Sequence, residues 1–345
     1  MRILLTGAKG FLGRRVLDFL LEQGWAIRAI TRRAAPELAA LGVKMIQGDL
    51  HDTQAVATAA QGVDGVIHCA AKSGVWGSTD EYVEANTITT INVLNAARRA
   101  GAAWLVHTSS PSVVHNGRPL EGVDESAPYT RSTKHGYPYS KMLAERIVLA
   151  ASEPGFQTVA LRPHLIWGPG DPHFLPRMVE RARAGRLWLF KSDALVDATY
   201  IDNAAEAHLL AVRKLAAGAD IGGRAYFISQ GEPITCRELI SRLLNALSID
   251  NERLEIKGLI PAILGRPLGL ALEKIWGSLK LSGEPPLTSF VAEELTLPHW
   301  FNLKRAARDL DYHPKISTQA ALQLLRINAQ AARTPDAGAS FPAGR

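Results

Sequence analysis

Cysteine is nearly absent from this chain: only Cys69 and Cys236 occur in 345 residues. That excludes a disulfide framework and fits a reducing compartment, with both thiols read as small semi-buried side chains. No run reaches the ~18 apolar residues of a membrane-spanning helix. The apolar stretch opening at Ile3 breaks at Gly7, too soon for a secretory signal, so the expected location is the cytoplasm. Neither sign of charge dominates, with 39 Lys+Arg against 33 Asp+Glu and a net charge of +6. There is no concentrated basic block or aromatic RNA-binding motif, and no nucleic-acid partner is expected. The small basic excess suits an anionic cofactor or an acidic substrate. His68, His107, His115, His164, His173 and His208 lack metal-ligand spacing, so no metal is expected.

What the chain does have is an unusual beginning. Arg2 to Thr6 reads as a short buried strand that runs straight into Gly7, Gly10 and Gly13 and then an amphipathic helix over 11–23. A tight turn, a backbone open to close approach and the positive end of a helix together make a pyrophosphate site. The spacing is G-x-x-G-x-x-G, a variant of the usual dinucleotide fingerprint. By itself such a turn can also be a strand-to-helix connection with no ligand.

Strand and helix patterns then alternate. Strands are expected over 26–31, 43–47, 63–68, 103–108 and 157–161, and helices over 52–61 (capped by Asp52), 81–100 and 137–151. This rhythm implies βαβ units and a doubly wound parallel sheet covered on both faces, an α/β fold of Rossmann type. Beyond Trp167 the rhythm changes. Helices are expected over 174–184, over 203–215 with Asp202 or Asn203 as cap, and over 239–247 after a capping box at Thr235–Glu238. A further strand is expected over 226–229. The division expected is a dinucleotide-binding core over 1–166 and a smaller substrate lobe over 167–333, some of whose segments return to the core. A disordered Ala/Gly/Pro-rich tail should follow over 334–345. The apolar stretch 258–281, broken by Pro261, Gly265, Pro267, Gly269 and Gly277, reads as a substrate cover, as core or dimer packing, or as an interfacial membrane helix flanked by Lys274 and Lys280.

Tyr137 and Lys141 are four residues apart on one helical face. A phenol titrates near ~10, and a nearby ammonium favours its ionised form. Such a pair can donate the proton that a carbonyl oxygen takes up as hydride arrives. At the end of the 26–31 strand, where an NAD site needs an acid, stand Thr31, Arg32 and Arg33. Guanidinium groups pair with phosphate, so the 2′-phosphate of NADP is favoured. Trp76 follows the 63–68 strand and reads equally as pocket lining or as packing.

With these landmarks in order, residues 1 to about 327 resemble the extended short-chain dehydrogenase/reductase superfamily, specifically its 3β-hydroxysteroid dehydrogenase-like branch. The resemblance is carried by Thr6-Gly7 through Gly13, Gly48-Asp49-Leu50, Ala70-Ala71, Asn86, Thr108-Ser109-Ser110, Tyr137 with Lys141, Arg162-Pro163, Gly168-Pro169-Gly170-Asp171, Tyr200 to Asn203 and Pro298-His-Trp300. It implies Tyr137 as proton donor, Lys141 as holder of the nicotinamide ribose and tuner of Tyr137, and Ser110 as the hydroxyl on the substrate oxygen, with Ser109 and Ser112 as alternatives. It further implies a cofactor site of Gly7, Gly10, Phe11, Leu12, Gly13, Arg32, Asp49, Leu50, Ala70, Ala71, Tyr137, Lys141 and Pro163. Tyr139 is read as packing, and Asn86 reads equally as a polar packing residue. Finer phrases, such as residues 71–78 and 165–171, resemble the members of the branch that reduce long-chain 2-alkyl-3-keto acids in olefinic hydrocarbon biosynthesis. The implied reaction is reversible NADP(H)-dependent reduction of the 3-keto group of a hydrophobic small molecule. The implied partners are a second copy of the chain and, peripherally, a membrane or a pathway enzyme. Steroid or sterol dehydrogenation and sugar-nucleotide epimerisation or dehydration are the alternatives; a non-enzymatic NADP-binding regulator usually lacks the Tyr–Lys pair.

Overall fold

The first strand, β1 (Arg2–Thr6), shows why the sheet is central: Ile3, Leu4 and Leu5 are all fully buried. Side chains alternate faces along a strand. Ile3 and Leu5 enter one apolar layer with Val16, Leu17 and Leu20 of α1 (Phe11–Leu21), while Leu4 enters the opposite layer with Val56, Val93 and Leu105. A strand buried on both faces must lie inside an α/β/α sandwich. Residues 1–249 and 252–332 are described by the computed structural model, so the expected tail at 334–345 lies outside the described residues.

The remaining strands are β2 (Ala26–Thr31), β3 (Lys44–Gln47), β4 (Gly65–His68), β5 (Trp104–Thr108), β6 (Gln157–Pro163) and β7 (Arg224–Ile228). They form a seven-stranded parallel sheet in the order β7-β6-β5-β4-β1-β2-β3. The order reverses between β1 and β4, and a ligand crevice opens at the carboxyl ends of strands at such a switch. The turn after β1 and residues 69–71 after β4 lie on either side of it.

Three expected elements differ in form. The helix expected over 81–100 runs from Thr79 to Arg99 and is interrupted by a π-helical segment, Val83–Ile88. Within it Asn86 is buried, exchanges hydrogen bonds with both backbone groups of Lys72 and donates to Ser140 Oγ at 3.0 Å. The helix expected after Asp202 or Asn203 starts earlier, over Ile201–Ala216, and Tyr200 caps it without a side-chain bond. Neither expected cap is available, because Asp202 is held by Arg15 at 2.6 Å and Asn203 bonds Gln230 and the 315–316 backbone. Of the capping box, only half forms: Thr235 accepts from the Glu238 amide, while the Glu238 carboxylate pairs with Arg242.

A second, smaller sheet draws on segments from both sides of β6. Four short strands pair in the order Ile234–Thr235, Leu195–Val196, His299–Phe301 and Leu120–Val123. A separate apolar cluster unites Leu175 and Met178 with Leu239, Leu243 and Leu325. The stretch 258–281 forms a strand, Gly258–Pro261, and a helix, Gly265–Ser278, that survives its glycines and proline. Pro267 sits in the first turn, where a missing N–H costs little. Gly269 is required, since a Cβ there would stand 2.6 Å from the Ser289 amide nitrogen. Among the described residues no helix is long and apolar enough to cross a membrane.

Candidate active site

The glycine turn is a cradle defined by contacts a side chain would destroy. Gly7 has φ +73°, and a Cβ on it would come within 2.7 Å of the Ala70 nitrogen. A Cβ on Gly13 would stand 2.1 Å from the Gly7 carbonyl oxygen. Gly10 caps α1 with no side-chain hydrogen bond, and the first turn carries no acidic residue. Free amides at a helix N-terminus with no competing acid fit a pyrophosphate.

Beside this turn lies a cavity of about 520 Å³, within the ~300–1,000 Å³ of ordinary small-molecule sites. Gly7, Gly10, Phe11, Leu12, Gly13, Ala71, Ser110, Tyr137, Lys141 and Pro163 all line it. Arg32, Asp49, Leu50 and Ala70 do not, although Ala70 backs directly onto Gly7. Arg32 and Arg33 follow β2, are exposed, and make no salt bridge among the described residues. Asp49 lies in the field of Arg32, and its carboxylate is held below the usual range by the His51 backbone and ring.

Tyr137 sits in the first turn of the helix Gly136–Ala150, where Gly136 lets Tyr82 pack close. Burial raises the Tyr137 phenol, and a hydrogen bond with Ser110 lowers it. Of the three candidate serines, Ser110 is the one that bears on the phenol's titration. Ser112 donates to Ser110 Oγ at 2.9 Å, and the buried Ser109 hydroxyl has no hydrogen-bond partner among the described residues. Ser110 is fixed by capping the 3₁₀ turn Pro111–Val114.

Lys141 is 2% exposed, and its ammonium donates to the Thr108 carbonyl at 2.6 Å, with His107 Nε2 at 3.3 Å. Burial brings it down to about 8, against the field of Glu145. His68 and His208, like His107, are buried and kept neutral by desolvation. Each is tied to a threonine hydroxyl or to Lys141. Tyr139 packs with Val113, Val114 and Phe301, as its place on the helix suggested.

Trp76 lines a smaller cavity of about 120 Å³ with Leu270 of the 258–281 stretch. Tyr137 and Phe290 border both cavities. Sequence reasoning missed the far wall of the larger one, where Phe290, Glu294, His299 and Phe301 meet His115 and His164. Its only signal was the Pro298-His-Trp300 landmark, which named a position without a role.

Residues 4–257 match the sequence pattern of the 3-beta hydroxysteroid dehydrogenase/isomerase family. The 2-alkyl-3-oxoalkanoate reductase of Stenotrophomonas maltophilia is 46% identical, over 96% of this chain and 100% of that protein. The protein of the same name from Shewanella oneidensis is 39% identical over 94% of this chain and 85% of its own. The UDP-glucuronic acid 4-epimerase of Bacillus cereus, solved in complex with NAD, superposes with a TM-score of 0.72 at 21% identity over 98% of this chain and 99% of that chain, a likeness of fold. The glycine cradle at the switch point, the Tyr–Lys pair opening onto it and the extent of these matches lead to one conclusion: the chain belongs to the 3-beta hydroxysteroid dehydrogenase/isomerase family.

Proposed function

We propose that the chain is an NADP(H)-dependent oxidoreductase that reversibly reduces the 3-keto group of long-chain 2-alkyl-3-keto acids to 3-hydroxy acids, the class for which its 46% identical relative is named. The observation that supports this most is a single cavity lined by the glycine turn, Ser110, Tyr137 and Lys141. The second cavity favours a branched substrate, because Tyr137 and Phe290 stand between two spaces that can take two alkyl arms.

In this reading Gly7, Gly10, Phe11, Leu12 and Gly13 hold the pyrophosphate. Arg32 meets the 2′-phosphate, Asp49, Leu50, Ala70 and Ala71 border the adenine half, and Lys141 and Pro163 the nicotinamide half. A bound nicotinamide supplies hydride to the carbonyl carbon. Ser110 orients the carbonyl oxygen, and Tyr137, kept protonated at neutral pH by burial, gives its proton to that oxygen. The Ser110 bond then stabilises the phenolate left behind. Lys141 holds the nicotinamide ribose and tunes Tyr137. The enzyme is assigned to the cytoplasm and to a homodimer. Its exposed helix Gly265–Ser278, with Leu268, Leu270 and Ile275 outward and Leu279 just beyond, is assigned to the surface of an anionic membrane, with Lys274 and Lys280 beside these side chains. Tyr137→Phe tests the chemistry: turnover should fall at least ~10³-fold with NADPH binding unchanged, and retained turnover would reject the acid assignment.

A further inference from the structure

The far wall of the large cavity brings together three side chains from separate elements. His164 follows β6, Glu294 lies on the helix Ser289–Thr296, and His299 opens the strand His299–Phe301. One nitrogen from each ring and a carboxylate oxygen all lie within 4.8 Å of one another. His299 Nε2 is 3.6 Å from Glu294 Oε2, and the two rings are perpendicular with centroids 4.9 Å apart.

The hydrogen bonds behind these side chains decide what they present to the centre. His164 Nδ1 is 2.8 Å from the Asp197 carbonyl, and His299 Nδ1 is 2.7 Å from the Leu297 carbonyl. A carbonyl oxygen only accepts, so Nδ1 carries the proton on each ring and the neutral ring keeps its Nε2 lone pair. Glu294 is braced in turn: His115 Nδ1 holds its Oε1 at 3.2 Å, while His115 Nε2 bonds Glu293 at 2.9 Å. Two imidazole lone pairs and a carboxylate oxygen thus converge with no donor of their own between them. An imidazole whose other nitrogen donates to a backbone carbonyl, and a carboxylate fixed from behind, is how a protein orients metal ligands.

We propose that His164, Glu294 and His299 bind a divalent transition-metal ion of the zinc class. Donors ~2.0–2.2 Å from such an ion in a tetrahedral site sit roughly 3.4 Å apart, so small side-chain rotations close the present arrangement. The fourth position opens onto the cavity lined by Tyr137 and Ser110. There the ion neutralises Glu294 and takes an anionic oxygen ligand. If the proposed substrate class is right, that ligand is the substrate carboxylate, which Glu294 alone would repel. The metal site itself does not rest on that reading.

The test uses the full chain, stripped with chelator and titrated with Co²⁺, followed by visible absorption and calorimetry. The expected result is one Co²⁺ per chain with intense tetrahedral bands, displaced by Zn²⁺. His299→Ala and the gentler His299→Gln should each weaken binding at least as much as the ~10–100-fold that removing a mere outer partner costs, with NADPH binding unchanged as proof of folding. No stoichiometric binding to the wild-type chain, or binding that both His299 variants retain, overturns the proposal. Because the readout is metal binding, failure of the substrate assignment leaves this result interpretable.

Discussion

The two ends of the large cavity are built in different ways. At the cofactor end one continuous stretch, residues 2–13, supplies a strand, three glycines and a helix, and its close contacts are backbone to backbone. At the substrate end the wall comes from residues 110–115, 163–174 and 290–301, which lie on separate short elements and the loops between them. The first is a local solution to holding an anion, and no side chain but hydrogen fits it. The second is a set of side chains on short elements, where position depends on distant packing. Substitutions should therefore act abruptly at one end and by degrees at the other.

The largest expected effect is at the cofactor end. Gly13→Ala places a methyl 2.1 Å from the Gly7 carbonyl oxygen, and neither backbone can yield without reshaping the turn. Overpacking of this kind costs ~1–3 kcal/mol or more, and thermal unfolding with cofactor titration should show both a lower Tm and loss of NADPH binding. An unchanged affinity would break the comparison, because the turn would then not be the rigid partner.

Lys141→Met probes the boundary between the two ends. The lysine titrates at about 8 in the folded chain, below its unfolded value, because burial disfavours the ammonium. Below about 8 both states are protonated and the folded state carries the full penalty; as pH rises through about 8 toward the unfolded value the folded state releases its proton first, and the penalty disappears. The variant should therefore lose turnover, yet its Tm advantage over the wild type should be largest near pH 7 and shrink by pH 10. Melting curves at both pH values check this, and an advantage that does not vary with pH would contradict the burial argument.

The smallest effect is expected far from the chemistry. Leu279→Glu on the exposed apolar surface should leave the unfolding free energy within about 0.5 kcal/mol of the wild type while reducing cosedimentation with anionic vesicles. Equal cosedimentation of both proteins would remove the membrane assignment and leave a second copy of the chain as the occupant.

How much of this was legible in the sequence follows the same division. The glycine turn, the parallel sheet and the Tyr137–Lys141 face were readable because each depends on local spacing or alternation. The Asp202 and Asn203 caps were misread because long-range partners, Arg15 and Gln230, claim those side chains. Spacing puts Lys141 and Tyr137 on one face, but the Thr108 carbonyl at the end of β5 takes the ammonium, a long-range contact with no local signal. Glu294 and His299 carried no local pattern, since only the pairing of Val196 and Leu120 with His299 and the Ser289–Thr296 helix bring them to the cavity.

The central claim is most directly tested by oxidation of a racemic long-chain 2-alkyl-3-hydroxy acid, followed by absorbance of the reduced nicotinamide, with NADP and NAD side by side and in Arg32→Ala. Rapid turnover with NADP is expected, with Arg32→Ala losing ~10–100-fold in kcat/KM for NADP, the worth of a charge-assisted phosphate contact, and little for NAD. No oxidation with either cofactor would contradict the substrate assignment, and equal losses with both cofactors in Arg32→Ala would contradict the 2′-phosphate assignment.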